Sequence, residues 1–385
     1  MREKPVPLPS WSDPVPSIAV PLGIGTWAWG NKLLWGYNED DDAALQEAFD
    51  VAVDAGITFF DTGDSYGTGK LEGRAEQLLG KFRAEYPDQR RAANVVIGTK
   101  LATYPWRVTA NSMESALLAS LGRLGGGIGG ERDDAVECVE LMQLHWSAAN
   151  YAPWQEPGLR AGLAQCYGKG LAKAVGASNY GPKQLRVLHR ELAARSVPLA
   201  SNQVQFSLLS RQPLSSGLLD TCKELGVVPI GYSPLALGLL SGRFNGDVDH
   251  DAPRLPPGPR GALFRQILPG TRPLLEELAT IAERRGKSVP QVAINWSICK
   301  GVRHFFSFFF FFVNLVEREE RDMRCSNGHV ECDKVDRKLQ AFARLVLFIS
   351  VSTVDVAAYS YLKFMRRYCA GGAHRRCKKC CSSEG

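Results

Sequence analysis

A chain of 385 residues with 45% hydrophobic and 22% charged side chains can bury a large core, which excludes global disorder. Its length suits two or three average domains or one large α/β barrel. The net charge of +6 sits at one end: residues 303–385 hold 15 basic and 9 acidic side chains, leaving 31 of each in the first 302. A neutral body disfavours nucleic-acid binding, which needs a basic face.

Residues 1–17, MREKPVPLPSWSDPVPS, contain acids and prolines and no apolar run, so they read as an N-terminal extension and not a signal peptide. An organellar transit peptide would be acid-poor. A cytoplasmic protein is expected, with a plastid as the alternative if a transit peptide precedes this numbering. Cys138, Cys166, Cys222 and Cys299 show no framework spacing and read as free thiols of an intracellular protein.

Between positions 18 and 302 short apolar runs alternate with longer amphipathic ones. Strands are expected at Ile18 to Gly25, Ile57 to Thr62, Asn94 to Thr99, Val139 to His145, Ala172 to Ser178, Ala200 to Phe206 and Val227 to Ser233. They are apolar or β-branched nearly throughout, as strands buried on both faces must be. The runs between them, such as DDAALQEAFDVAVDAG and PKQLRVLHRELAARS, carry helical periodicity and cap chemistry. Asp40 and Ser112 are the expected N-cap oxygens of the first and third. The stretch Asn245 to Gly270 is rich in Pro and Gly and reads as a long loop or lid.

Repeated βα units imply a parallel sheet wound in one sense. An eighth strand is expected around Val302 to Phe308, after VPQVAINWSICKG. That completes a (β/α)8 TIM barrel. An open doubly wound sheet would carry a G-x-G-x-x-G fingerprint in its first βα turn, whereas Gly25 is followed by Thr26, Trp27, Ala28 and Trp29.

Polar residues gather at the carboxyl ends of these strands, where barrel chemistry resides. Asp61 and Tyr66 lie in FFDTGDSYG, Lys100 in VVIGTK and His145 in LMQLHW. Ser178 and Asn179 lie in VGASNY, and Gln203 in the sixth strand. A free Tyr is a poor acid at neutral pH. A lysine ammonium beside it is expected to lower its pKa, with Asp61 orienting that ammonium and His145 orienting a carbonyl or joining a proton relay. Each residue alone has an ordinary structural reading; four at consecutive strand ends favour proton donation to a carbonyl.

These words, with G-I-G-T-W, S-N-Q-V-Q-F-S and Y-S-P-L-A-L-G-L-L-S-G-R, resemble the aldo-keto reductase family over residues 18–302, most closely its plant and bacterial branch related to potassium-channel β subunits. The resemblance implies a catalytic tetrad of Asp61, Tyr66, Lys100 and His145, with Tyr66 the general acid. It implies NADPH held across the barrel mouth by Gly25, Thr26, Trp27, Ser178, Asn179, Gln203, Ser233, Pro234, Leu235, Gly238, Leu239 and Arg243. The activity it implies is reduction of a small aldehyde or ketone to the alcohol. The alternatives are a nicotinamide-binding redox sensor without turnover, or an inactive variant with impaired cofactor binding.

After Gly301 the family pattern ends. Seven of the 17 Phe lie between Phe305 and Phe312, a run too short to span a membrane. The tail CAGGAHRRCKKCCSSEG offers one C-x-x-C half-site without a second, so no metal is expected. Residues 303–385 read as an atypical, poorly ordered continuation, and the missing phosphate-facing residues imply weak discrimination of NADPH from NADH.

Overall fold

The computed structural model describes residues 22–67, 73–125, 136–242, 255 and 258–307. The extension 1–17, Arg243, the Cys-rich tail and nearly all of 303–385 lie outside these. Eight parallel strands form a closed barrel in chain order: β1 (Leu22–Gly25), β2 (Phe59–Asp61), β3 (Val96–Leu101), β4 (Val139–Leu144), β5 (Ala172–Ser178), β6 (Leu199–Gln205), β7 (Val228–Tyr232) and β8 (Arg303–Ser307). The outer ring is α1 (Asp42–Asp54), α2 (Arg74–Glu85), α3 (Ala110–Leu124), α4 (Glu156–Gly168), α5 (Pro182–Ala193), α6 (Leu218–Leu225), α7 (Gly258–Arg285) and α8 (Val289–Cys299).

β8 closes the barrel by pairing with β1 from Leu22↔His304 to Gly25↔Ser307 and with β7 at Ile230↔Arg303 and Gly231↔His304. The expected eighth strand is therefore present, although its residues RHFFS come from the atypical segment. Three expectations need correction. The first half of the Asn245 to Gly270 loop lies outside the described residues, but from Gly258 it is helix α7 despite Pro269 and Pro273. Its apolar side, Leu275 and Leu278, packs on Leu240 and Ala293, and that burial outweighs the local breaker signal. The cap of α3 is Thr109, whose hydroxyl accepts from Ser112 N at 3.2 Å; Ser112 is the reciprocal partner three residues in. Asp40 lies within a short 3-10 turn, Glu39–Asp41, ahead of α1, and so does not cap it.

Strand alternation sorts the barrel interior into layers. Phe59, Leu141, Ala174, Ala200 and Ile230 fill one level with apolar side chains. Two residues further along their strands, Asp61 and Gln143 place polar groups nearer the carboxyl ends. Gly176 makes room there, since a Cβ on it would lie 2.3 Å from Ser201 Oγ. Ladder pairs Asp61↔Gly98, Lys100↔Gln143 and Ser178↔Gln203 keep this polar level continuous around the sheet.

Candidate active site

β2 ends on Asp61, and the chain turns sharply to Tyr66 while staying fastened to β3. Thr62 N donates to Gly98 O at 2.8 Å and Asp64 N to Lys100 O at 2.9 Å. Asp64 also accepts from Ala102 N at 3.1 Å and pairs with Arg107 at 2.5 Å. Just past Tyr66, Gly67 has φ 120°, and a Cβ there would meet Arg74 Cβ at 2.7 Å. Glycine alone lets this turn lie against α2.

The four strand-end residues meet. Lys100 Nζ donates to Asp61 Oδ2 at 2.5 Å, with the two side chains 1% and 4% exposed. Asp61 Oδ1 accepts from Gln203 Nε2 at 2.8 Å. The same Nζ lies 4.9 Å from the centroid of the Tyr66 ring. The Tyr66 and His145 rings stand edge to face, 5.5 Å apart at 72°. Lys100 is inside β3 and not at its last residue, so strand geometry fixes where its side chain enters the barrel.

Electrostatics follow from this packing. Burial pushes the Asp61 carboxyl up and the Lys100 ammonium down, and each is pulled back by the other's charge. With contact this short and Gln203 as a second donor, the ionised pair is the supported state. The His145 imidazole is pushed down to about 3, first by burial and then by Lys100, so it is neutral at pH 7. The expectation of an acidified Tyr66 is not met. Burial first, then the charges of Asp61, Tyr232 and Asp64, hold its phenol well above the ordinary value. Lys100 is already engaged by Asp61, and desolvation of a phenolate is the larger effect.

The segments expected to hold a dinucleotide sit at the same mouth. Asn179 (φ 60°) donates to His145 O at 3.1 Å and Ser178 Oγ at 3.2 Å, and accepts from Tyr232 OH at 2.9 Å. After β7, Ser233, Ala236 and Leu237 have φ of 54°, 48° and 58°, followed by Gly238 at 102°. Left-handed conformations in non-glycine residues are costly and gather at ligand clamps. Among the described residues, Thr26 Oγ1 and Ser241 Oγ are buried without a hydrogen-bond partner. Orphaned hydroxyls on both segments fit a polar ligand lying across them. Gly25, Trp27, Pro234, Leu235 and Leu239 lie on these same two segments. No helix of the described residues is long and apolar enough to cross a membrane.

Residues 21–306 match the aldo/keto reductase family. The chain belongs to that family. The match runs into β8, past the Gly301 boundary expected from the motifs. Among aldo/keto reductases and their relatives, the chain is 52% identical over 282 residues to pyridoxal reductase, chloroplastic, of Arabidopsis thaliana, covering 73% of each chain. It is 31% identical over 264 residues to L-glyceraldehyde 3-phosphate reductase of Escherichia coli, covering 67% of this chain and 71% of that one. Solved structures share the fold. Glycerol dehydrogenase of Gluconobacter oxydans superposes with a TM-score of 0.60 at 23% identity, covering 87% of this chain and 94% of that one. An aldo/keto reductase of Klebsiella pneumoniae in complex with NADP and acetate gives 0.54 at 19% identity, covering 86% and 92%.

Several residues at the mouth were not singled out by motif. Tyr232 ends β7 one residue before the expected Ser233, and its position at a strand end is a signal that could have found it. Ser65 and Asp64 stand inside the FFDTGDSYG word itself. Tyr104 and Trp106 lie in the loop after β3, whose aromatic side chains already read in the sequence as a substrate wall, and their rings stack at 4.8 Å and 19°. Glu76 on α2 is fully buried, takes hydrogen bonds from Thr99 Oγ1 and Arg123 Nε, and so braces β3 next to Lys100.

Proposed function

We propose that this protein reduces a small aldehyde to its alcohol using NADPH, with Tyr66 as the general acid. A bound NADPH supplies hydride to the carbonyl carbon. The neutral phenol of Tyr66 gives its proton to the carbonyl oxygen. Lys100, held against the ring by Asp61, offsets the charge that develops on the phenolate. His145, neutral, orients the carbonyl. Ser178, Asn179 and Gln203 would meet the nicotinamide, while Gly25 to Trp27 and Ser233 to Leu239 would hold the rest of the cofactor.

The observation carrying this reading is the Lys100 ammonium lying between the Asp61 carboxylate and the Tyr66 ring, 4.9 Å from its centroid. The substrate reading is a planar, ring-bearing aldehyde of the pyridoxal type. It is supported by the Arabidopsis relative and by the rings around His145. Trp146 lies 4.8 Å from it at 45°, and Tyr104 and Trp106 stack on each other in the loop after β3. The relative's chloroplastic location favours the plastid alternative for this chain.

The test is NADPH consumption with pyridoxal and with an acyclic aldehyde, for the wild type and Tyr66→Phe. The expected loss in the variant is roughly 10²–10⁴ in kcat, the usual contribution of a positioned acid, with cofactor binding retained. Turnover untouched by the substitution sinks the reading. NADPH binding without turnover in the wild type favours the regulatory alternative.

A further inference from the structure

We propose that Asn202 is a positioning residue for the nicotinamide end of the site. Its side chain pins the backbone of Tyr180 and so holds Asn179 in the left-handed turn from which Asn179 meets the carboxamide. Asn202 Nδ2 donates to Tyr180 O at 3.0 Å, and Asn202 Oδ1 accepts from Tyr180 N at 3.4 Å. Both residues are fully buried, where backbone polar groups must be paired. β5 and β6 stay paired as far as Ser178↔Gln203, and Asn179 N still donates to Gln203 O at 2.7 Å. The chain then turns toward α5, which starts at Pro182, and the Asn202 amide carries the pairing of the two strands one residue further.

The turn needs that support. A residue with a side chain stays at a φ of 60° only where its surroundings over-determine it. The Asn179 side chain is held by His145 O, Ser178 Oγ and Tyr232 OH. Its backbone is held on the incoming side by Gln203 O and on the outgoing side by Asn202, because Tyr180 N belongs to the peptide that leaves Asn179. The amide fits in one sense only: turned end for end, it would set donor against donor and acceptor against acceptor. Neighbouring Gln203 faces the barrel interior, where it donates to Asp61 Oδ1 at 2.8 Å, so successive side chains of β6 serve the two faces of the strand. On the reductase reading, on which this inference rests, Gln203 steadies the charges behind the proton donor. Asn202, through Asn179, steadies the place of the ring that carries the hydride.

The test uses the full chain carrying Asn202→Leu, which keeps the volume and loses both bonds, and Asn202→Ala, which guards against misfit of the larger side chain. Hydrogen–deuterium exchange of the cofactor-free protein reads the turn itself. The peptide covering Ser178 to Gly181 is expected to exchange about tenfold faster in both variants, while peptides from β2 and β3 keep wild-type rates. Titration reads the consequence. NADPH should bind about tenfold more weakly, the worth of one ordinary hydrogen bond, whereas 2′-phospho-ADP-ribose, which lacks the nicotinamide ring, should bind within about twofold of the wild type. Exchange unchanged at that turn in both variants, or an equal loss of both ligands, overturns the proposal. A wild type that binds no NADPH defeats the reductase reading instead, and the exchange result still judges the Asn202 clamp.

Discussion

Removing one partner of the Asp61–Lys100 pair should cost far more than removing both. The contact is 2.5 Å and the two side chains are 1% and 4% exposed, so neither charge can turn to water when the other is deleted. An uncompensated buried charge typically costs about 3–5 kcal/mol, whereas replacing the whole pair with groups of similar size is often close to neutral. Asp61→Asn leaves the ammonium against a neutral amide, a poor substitute for a carboxylate. Lys100→Met leaves the carboxylate with the neutral Gln203 amide donating to it at 2.8 Å. Each single variant is expected to lose about 3–5 kcal/mol, and the double variant less than either single one. In a protein of this size each kcal/mol corresponds to roughly 2–4 °C in Tm. Urea unfolding and thermal melting of the full chain, for all four members of the cycle, measure it. Single-variant losses that simply add in the double variant would refute the reasoning, because independent losses mean the charges do not answer one another.

Three further outcomes follow from named contacts. Gly158→Ala in α4 would gain roughly 1 kcal/mol in helix propensity, but the new Cβ would sit 2.0 Å from Val108 O, a backbone atom that cannot rotate away. The clash should win by about 1–3 kcal/mol, and a melting temperature unchanged or raised argues otherwise. Trp106→Ala should raise KM for a planar aldehyde up to about tenfold, the worth of one aromatic contact, and leave KM for an acyclic aldehyde nearly unchanged; equal effects on both would remove Trp106 from ring recognition. His145 titrates near 3 in the folded chain against 6.5 for the free side chain, so the unfolded chain binds the extra proton between those values. Its stabilising contribution is complete above 6.5 and is lost as pH falls toward 3. The stability gap between the wild type and His145→Gln should therefore shift in the variant's favour as pH falls through that window, and a constant gap would contradict the assignment.

The barrel was legible because both periods of the chain are strong. Buried parallel strands cannot hide their apolar runs, and the helices between them keep their caps. The ends of elements were less legible. Thr109 and not Ser112 starts α3, because a reciprocal cap looks the same from sequence whichever residue leads. Helix α7 was hidden by Pro269 and Pro273, since a sequence shows the lost donor but not the apolar face that Leu275 and Leu278 bury. The strand-end tetrad was legible as a set of residue types at matching positions. Ser65 was not, because nothing in a linear pattern reveals that its hydroxyl comes within 3.3 Å of His145 Nδ1.

The raised phenol of Tyr66 is consistent with its proposed task once resting and reacting states are kept apart. An acid must hold its proton until it is needed, and burial near Asp61 and Asp64 ensures that the phenol is neutral at working pH. Lys100 lies 4.9 Å from the ring centroid and cannot make Tyr66 acidic at rest, because its charge is balanced by Asp61. That balance changes when the proton leaves. The new phenolate competes with Asp61 for the same ammonium, and the buried ammonium is already in place. Interactions that strengthen only as charge develops are the ones that lower a barrier. On this reading the pair's value lies in its rigidity. A lysine held by a carboxylate that Gln203 fixes in turn stays aimed at the phenol between turnovers, which a mobile surface lysine could not do.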